Sequence, residues 1–112
     1  VSIYAKYKDL IENQYIATRK VTDYASQLGI SSKKLNEICK RESGMTALEV
    51  IHERLMVEIK RMLLFSGERI KEIAFTLGFA SVSSFNKFIY SKTCKTPTEL
   101  KNSLSQNYKE KD

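Results

Sequence analysis

The chain has 112 residues, of which 42% are hydrophobic, so it can bury one modest core or two small cores joined by a shared element. A large sensor domain does not fit into that length. The formal net charge of +6 favours a polyanionic partner, although many domains carry a similar excess on a solvated face.

The start of the chain and its apolar pattern bear on its location. Val1 stands where a complete protein would have Met, which suggests a piece of a longer protein. The sequence shows no signal peptide and no apolar run that could span a bilayer. We therefore expect a cytoplasmic protein that makes no membrane contact.

The sequence contains no residue pattern typical of catalysis or metal binding. Cys39 and Cys94 lie far apart and fit no metal-ligand spacing, and His52 has no Cys or His cluster around it. A nucleophile paired with a base is also missing. We expect no enzyme activity, no cofactor and no metal, and two unpaired thiols in packed or turn positions.

The first predicted helix supports the rest of the chain. Ser2 can cap it, and its apolar residues recur at helical spacing before a polar stretch at residues 13–20 ends it. The apolar stripe comprises Ile3, Tyr7, Leu10 and Ile11.

Two segments of the chain repeat each other. V-T-D-Y-A-S-Q-L-G-I at residues 21–30 aligns with I-K-E-I-A-F-T-L-G-F at residues 70–79. In each copy a helical apolar stripe stops at a glycine, Gly29 or Gly78, which can adopt the left-handed backbone of a tight turn into a second helix. The second turn is one residue longer. With that offset the apolar residues of the second helices correspond in pairs: Leu35 with Phe85, Ile38 with Phe88 and Cys39 with Ile89.

Local signals also mark the end of the second turn and the helix after each unit. Phe79 can fold back between its two helices, and Ser81 can cap the second one. G-M-T-A-L-E at residues 44–49 corresponds to C-K-T-P-T-E at residues 94–99, and both predict a capping box from Thr to the Glu three residues later. Pro97 then falls at the first helical position, where its missing N–H costs nothing.

One long helix is predicted between the copies, at residues 46–65. It would span about 30 Å at 1.5 Å per residue, close to the ~34 Å between successive major grooves on one face of DNA. Its apolar stripe comprises Leu48, Ile51, Leu55, Ile59, Met62 and Leu63. The predicted fold is therefore all-α with about seven helices. Its predicted parts are a supporting helix and first helix-turn-helix unit at residues 1–45, a linker helix at 46–66, a second unit at 67–104 and a polar, disordered tail at 105–112.

The second unit resembles a known family. The run I-x-E-I-A-x-x-x-G-F at residues 70–79, with Ser81, Phe85, Lys87 and T-P at residues 96–97, is similar to the signature of AraC/XylS bacterial transcription regulators. R-L-M-V-E-I-K-R-M-L-L at residues 54–64 resembles their linker helix, and the match covers roughly residues 21–101. Departures from the family pattern are Ser81 for Asp, Ile59 for Ala, Ile89 for Phe, Cys94 for Gly and Leu100 for an aromatic residue. A cysteine at position 94 would be strained if that turn needs a positive φ.

The resemblance implies sequence-specific binding of double-stranded DNA by two recognition helices in adjacent major grooves, for regulation of transcription. On the first helix, Lys33, Asn36 and Glu37 fall where the family reads bases. Lys33 suits guanine, Asn36 adenine and Glu37 the cytosine amino group. The full set of outward residues predicted on this helix is Ser32, Lys33, Asn36, Glu37 and Lys40.

On the second recognition helix, Val82, Ser83 and Lys87 fall at the base-facing positions of the family. An exposed Val82 would suit a thymine methyl group. The outward set predicted here is Val82, Ser83, Asn86 and Lys87, with Lys95 and the backbone N–H groups near Thr96 as phosphate contacts. Residues 73–98 contain no Asp or Glu.

Of the aromatic residues Phe75, Phe79, Phe85, Phe88, Tyr24 and Tyr7, most should lie in the core rather than serve as base-stacking platforms.

The alternative function is a helical adaptor that binds another protein, such as an RNA polymerase subunit, and it predicts a hydrophobic hot-spot patch. Dimerisation or effector binding would occur through a part of the parent protein outside this chain.

Overall fold

The computed structural model describes residues 2–110, and this part of the chain consists of α-helices joined by short turns. The seven helices of these residues are α1 (Ile3–Gln14), α2 (Val21–Leu28), α3 (Ser32–Ser43), α4 (Ala47–Phe65), α5 (Ile70–Thr76), α6 (Val82–Thr93) and α7 (Pro97–Glu110). The predicted all-α fold is thus confirmed. The chain divides into two compact units between Leu55 and Met56, inside α4. None of the helices described is long and apolar enough to cross a membrane.

The core of the first unit is organised around two tyrosines. Tyr7 and Tyr24 are fully buried, and their rings meet edge to face with centroids 5.5 Å apart. The Tyr7 hydroxyl donates to the carbonyl oxygen of Ala47 at 2.7 Å, and burial raises the pKa of this phenol above its usual range. The bond ties α1 to the start of α4. As predicted, Ser2 caps α1, because its Oγ accepts from the N–H of Ala5 at 3.1 Å.

The turn of each unit is built around its predicted glycine. Gly29 and Gly78 have φ values of +72° and +80°, so both adopt the left-handed backbone. The N–H of the next residue then reaches back to the preceding helix: Ile30 donates to Ala25 and Phe79 to Ala74, at 3.1 and 3.0 Å. This pattern of bonds satisfies carbonyl groups left open at the helix end.

In the second unit Phe79 packs as predicted. Its ring centroid lies 5.1 Å from that of Phe85 and 5.6 Å from that of Phe88, so it packs on α6 while its N–H bonds to Ala74 of α5. Ser81 caps α6 by accepting from the N–H of Ser84 at 3.1 Å. Ser84 returns the bond, since its Oγ accepts from the N–H of Ser81 at 3.2 Å. Two serines therefore cap α6, at a position where the AraC/XylS pattern usually has Asp.

The prediction that residues 105–112 form a disordered tail is wrong for the described part. Helix α7 continues to Glu110 rather than ending near Leu104. Its last turns contact the end of α4, where the ring of Tyr108 meets that of Phe65 edge to face at 5.4 Å. The segment is otherwise polar, so its composition did not indicate that Tyr108 packs on α4. Residues 111 and 112 lie outside the described residues.

Two apolar residues face solvent against expectation. Leu48 is 41% exposed, because Ala47 and Val50 take the core-facing positions at the start of α4. Phe75 is 71% exposed, because α5 turns Ile73 and its neighbour Ala74 inward and leaves the next residue on the outer face. The other stripe residues of α4 are buried as predicted: Ile51, Leu55, Ile59, Met62 and Leu63.

Candidate nucleic-acid interface

Both predicted capping boxes form, and they fix the start of the helix that follows each recognition helix. In the first unit Thr46 Oγ1 accepts from the N–H of Glu49 at 3.1 Å, and the Glu49 carboxylate accepts from the N–H of Thr46 at 2.9 Å. In the second unit Thr96 and Glu99 make the same two bonds at 3.1 and 2.8 Å. The bonds from the backbone N–H and the side chain of Thr96 lower the pKa of the Glu99 carboxyl below its usual range.

The first recognition helix, α3, presents a charged face. Lys33, Glu37 and Lys40 are exposed, and Ser32 is half-buried at the first helical position. The opposite face is fully in the core, as predicted, through Leu35, Ile38 and Cys39. The side chains of Lys33, Glu37 and Lys40 are therefore free to meet a ligand laid along α3.

Asn36 makes a contact that the sequence did not predict. Its side chain is half-buried, and its Oδ1 accepts from the backbone N–H of Ala47 at 2.8 Å. A bidentate contact with adenine needs this oxygen to accept from the N6 amino group while Nδ2 donates to N7. The bond from Ala47 orients the amide of Asn36 towards the start of α4, so Asn36 acts in this structure as a cap between α3 and α4.

The second recognition helix, α6, presents a face without negative charge. Ser83, Asn86 and Lys87 are exposed, as predicted. Val82 is half-buried rather than fully exposed. Phe85 and Ile89 are buried on the other side. The exposed residues lie three and four positions apart and so share one side of the helix.

A shallow groove that sequence reasoning missed runs beside this face. It encloses about 360 Å³ and is lined by Asn86, Lys87, Tyr90, Ser91 and Thr96. Tyr90 is 59% exposed. The signal was present in the sequence, since Tyr90 follows Asn86 by four positions and therefore continues the outward stripe of α6. An exposed tyrosine offers a flat apolar ring and a hydroxyl donor to a ligand in this groove.

The predicted phosphate contacts near α7 change in one respect. Lys95 is exposed and lies directly before the helix, as expected. The N–H of Thr96, however, already donates to the Glu99 carboxylate at 2.8 Å, so it is not free for a phosphate. Pro97 has no N–H. The positive charge of Lys95 is thus the stronger candidate of the two for a phosphate contact.

The two cysteines differ in exposure. Cys39 is buried, and burial raises the pKa of its thiol, whereas Cys94 is exposed; both are free thiols. Residues 2–110 include no group of three His, Cys, Asp or Glu side chains that could hold a metal ion.

Comparisons with known proteins agree with the fold. A family model described as a helix-turn-helix domain matches residues 24–103. The Msm operon regulatory protein of Streptococcus mutans is 25% identical over 100 residues, which are 89% of this chain and 36% of that protein. The chain therefore spans about a third of the length of this relative.

Two solved structures have a similar backbone. The C-terminal domain of AraT, a response regulator from Geobacillus stearothermophilus, superposes with a TM-score of 0.81 at 18% identity, over 92% of this chain and 86% of that one. An AraC-type regulator from Chromobacterium violaceum gives 0.76 at 20% identity, over 91% of both chains. At these identities the likeness establishes the fold.

Repeated helix-turn-helix units with exposed recognition helices define a DNA-binding domain, and the family model covers most of the chain. The chain belongs to this helix-turn-helix family and is of the AraC/XylS type.

Proposed function

We propose that the chain binds double-stranded DNA sequence-specifically, with α3 and α6 as recognition helices in adjacent major grooves. The exposed face of α6 carries the proposal: Ser83, Asn86 and Lys87 lie on it, and residues 73–98 contain no acidic side chain. A groove lined with phosphates attracts such a face, and polar groups near the helix start can meet base edges.

Each recognition helix has side chains suited to bases and side chains suited to phosphates. On α3 we assign Lys33 to guanine and Glu37 to the cytosine amino group. Lys40 and Ser32 would contact phosphates of the DNA backbone. On α6, Ser83 and Lys87 would meet base edges, and the accessible part of Val82 would contact a thymine methyl group.

The DNA backbone would be held beside α6 by different chemistry. Lys95 would bind a phosphate through charge, while the ring of Tyr90 would pack on a sugar in the groove and its hydroxyl would donate to a phosphate oxygen. These contacts add affinity for every sequence and select none.

The whole protein would regulate transcription from a site recognised by this domain. Its relative in Streptococcus mutans is an operon regulator almost three times the length of the matched region. Contact with RNA polymerase, and dimerisation or effector binding outside this chain, belong to the same proposal, as does a cytoplasmic location.

Selection from a library of random DNA duplexes tests the proposal with the chain as it stands. We expect enrichment of a site with two half-sites whose centres are about one helical turn apart. We also expect log affinity to fall with log salt at a slope of about −4 to −7, as when roughly four to eight phosphates are neutralised. No enrichment at low salt, together with a flat salt dependence, would favour the protein-binding adaptor instead.

A further inference from the structure

The repeat pairs two asparagines that the structure treats differently. Leu35 corresponds to Phe85, so Asn36 corresponds to Asn86. The capping boxes align as well, with Thr46 matching Thr96, and the residues after them are Ala47 and Pro97. Each asparagine therefore stands eleven positions before the first residue of the next helix.

In the first unit this arrangement turns the amide oxygen towards the following helix. Asn36 Oδ1 accepts from the N–H of Ala47 at 2.8 Å, and the side chain is half-buried. Ala47 itself is fully buried, so its N–H has no access to water and the bond satisfies a donor that would otherwise be unpaired.

In the second unit the same bond cannot form. Pro97 occupies the matching position and has no N–H to donate. Asn86 is exposed, on the same side of α6 as Val82 and Ser83, which precede it by four and three residues. Nothing equivalent to the Ala47 donor draws its amide back towards the following helix.

We propose that Asn86, and not Asn36, is the amide that reads an adenine edge, because Pro97 removes the donor that holds the matching asparagine. The inference rests on the proposed DNA binding and names a specificity residue within it. Asn86 would accept from the adenine N6 amino group through Oδ1 and donate to N7 through Nδ2. The neutral amide suits a base edge, while Lys87 beside it carries the charge.

Asn36 would then be a positioning residue of the first unit. By bonding the N–H of Ala47 it fixes how α3 meets α4, and its loss should lower the melting temperature without changing which bases are preferred. The two asparagines thus provide matched variants in one chain.

The experiment compares Asn86→Ala and Asn36→Ala by selection from random duplexes, followed by affinity measurements on the selected duplex and on its single-base variants. Asn86→Ala should lose about five- to 150-fold of the preference for one A·T pair and keep the preferences elsewhere. Asn36→Ala should keep every preference. The reverse result would overturn the inference.

Pro97→Ala is a second and independent variant. It restores an N–H at the position where Ala47 holds Asn36, so Asn86 should be drawn towards α7 and the same A·T preference should weaken although Asn86 is still present. Circular dichroism and thermal melting establish that the variant is folded. If folded Pro97→Ala and Asn86→Ala both retained the wild-type preference at every position, the inference would be wrong.

Failure of the inference is distinguishable from failure of the proposed function. A wild-type chain that enriches a site, with variants that do not alter it, removes Asn86 as a reader and leaves DNA recognition in place. A wild-type chain that enriches no site removes both.

Discussion

The two helix-turn-helix units end their recognition helices with the same backbone but not with the same residue. Gly44 follows α3 directly and has a φ of +76°, and Cys94 follows α6 directly and has a φ of +58°. Glycine adopts this left-handed conformation freely, whereas a β-carbon makes it costly. The second unit has the same turn although Cys94 is strained in this backbone conformation. The turn between recognition helix and capping box is thus retained without the glycine that would favour it.

The recognition helices also differ in charge at matching positions. Glu37 on α3 corresponds to Lys87 on α6, and both are exposed. The first unit is thereby suited to discriminate through an acidic acceptor, while the second is suited to add electrostatic affinity.

The largest expected effect comes from exchanging the charges. Lys87→Glu should reduce the magnitude of the salt slope by about one to two units and weaken binding to all duplexes, because a negative charge replaces a positive charge on the face that meets the DNA. Glu37→Lys should increase the magnitude of the slope by up to about one unit and relax base preference in one half-site. Affinity measured across a salt series on a selected and an unrelated duplex reports both. Equal slopes for both variants and wild type would show that neither position meets the DNA.

The next largest effect is on the free energy of unfolding and comes from backbone strain directly after each recognition helix. Cys94→Gly should raise the free energy of unfolding by about 1 kcal/mol, and Gly44→Ala should lower it by about 1–2 kcal/mol. A β-carbon added at Gly44 would meet nothing within 4 Å, so its cost is one of backbone conformation alone. Denaturant unfolding measures both changes. A destabilised Cys94→Gly would mean that the thiol makes a contact worth more than the strain.

The two capping boxes should contribute nearly equally to the free energy of unfolding. Thr46→Ala and Thr96→Ala each remove one side-chain acceptor from a helix start, and each should cost about 1 kcal/mol of unfolding free energy. Ser as a replacement should restore most of the loss in both units, and thermal melting of the four variants measures it. A large inequality would show that one helix start is held by other contacts.

The smallest effect is a pH dependence at α7. The bonds from Thr96 lower the pKa of the folded Glu99 carboxyl, so its contribution to stability is present above the usual glutamate pKa of 4.5 and is lost as the pH falls through the lowered value. Glu99→Gln should remove this part of the acid sensitivity while leaving stability at neutral pH only slightly changed. Unfolding curves from neutral to acidic pH measure it, and an identical acid profile for the variant would contradict the assignment.

The features that the sequence predicted correctly depend on neighbours a few residues away. The caps at Ser2 and Ser81, the glycine turns and both capping boxes use partners within about one helical turn, so residue type and spacing suffice to find them. The repeat indicated the glycine turn and the capping box in both units.

The features that the sequence did not predict depend on contacts between helices. Helix α7 extends to Glu110 and packs Tyr108 on Phe65, a residue 43 positions away in the chain, so local polarity gave no warning. Asn36 faces Ala47 because two helices converge there, and spacing along α3 alone places it outward. Leu48 is exposed because Ala47 and Val50 take the core-facing positions of the first turn of α4, and apolar residues at all three positions leave that choice undecided in the sequence.

The contrast between the two thiols makes the natural chain ready for site-selective fluorescent labelling. Cys39 has no exposed surface, whereas Cys94 is exposed at the turn between α6 and α7, next to Lys95. A maleimide dye added to the folded protein should therefore attach at one position without any engineered cysteine. That position borders the proposed DNA face, so the dye would report each binding event through its emission.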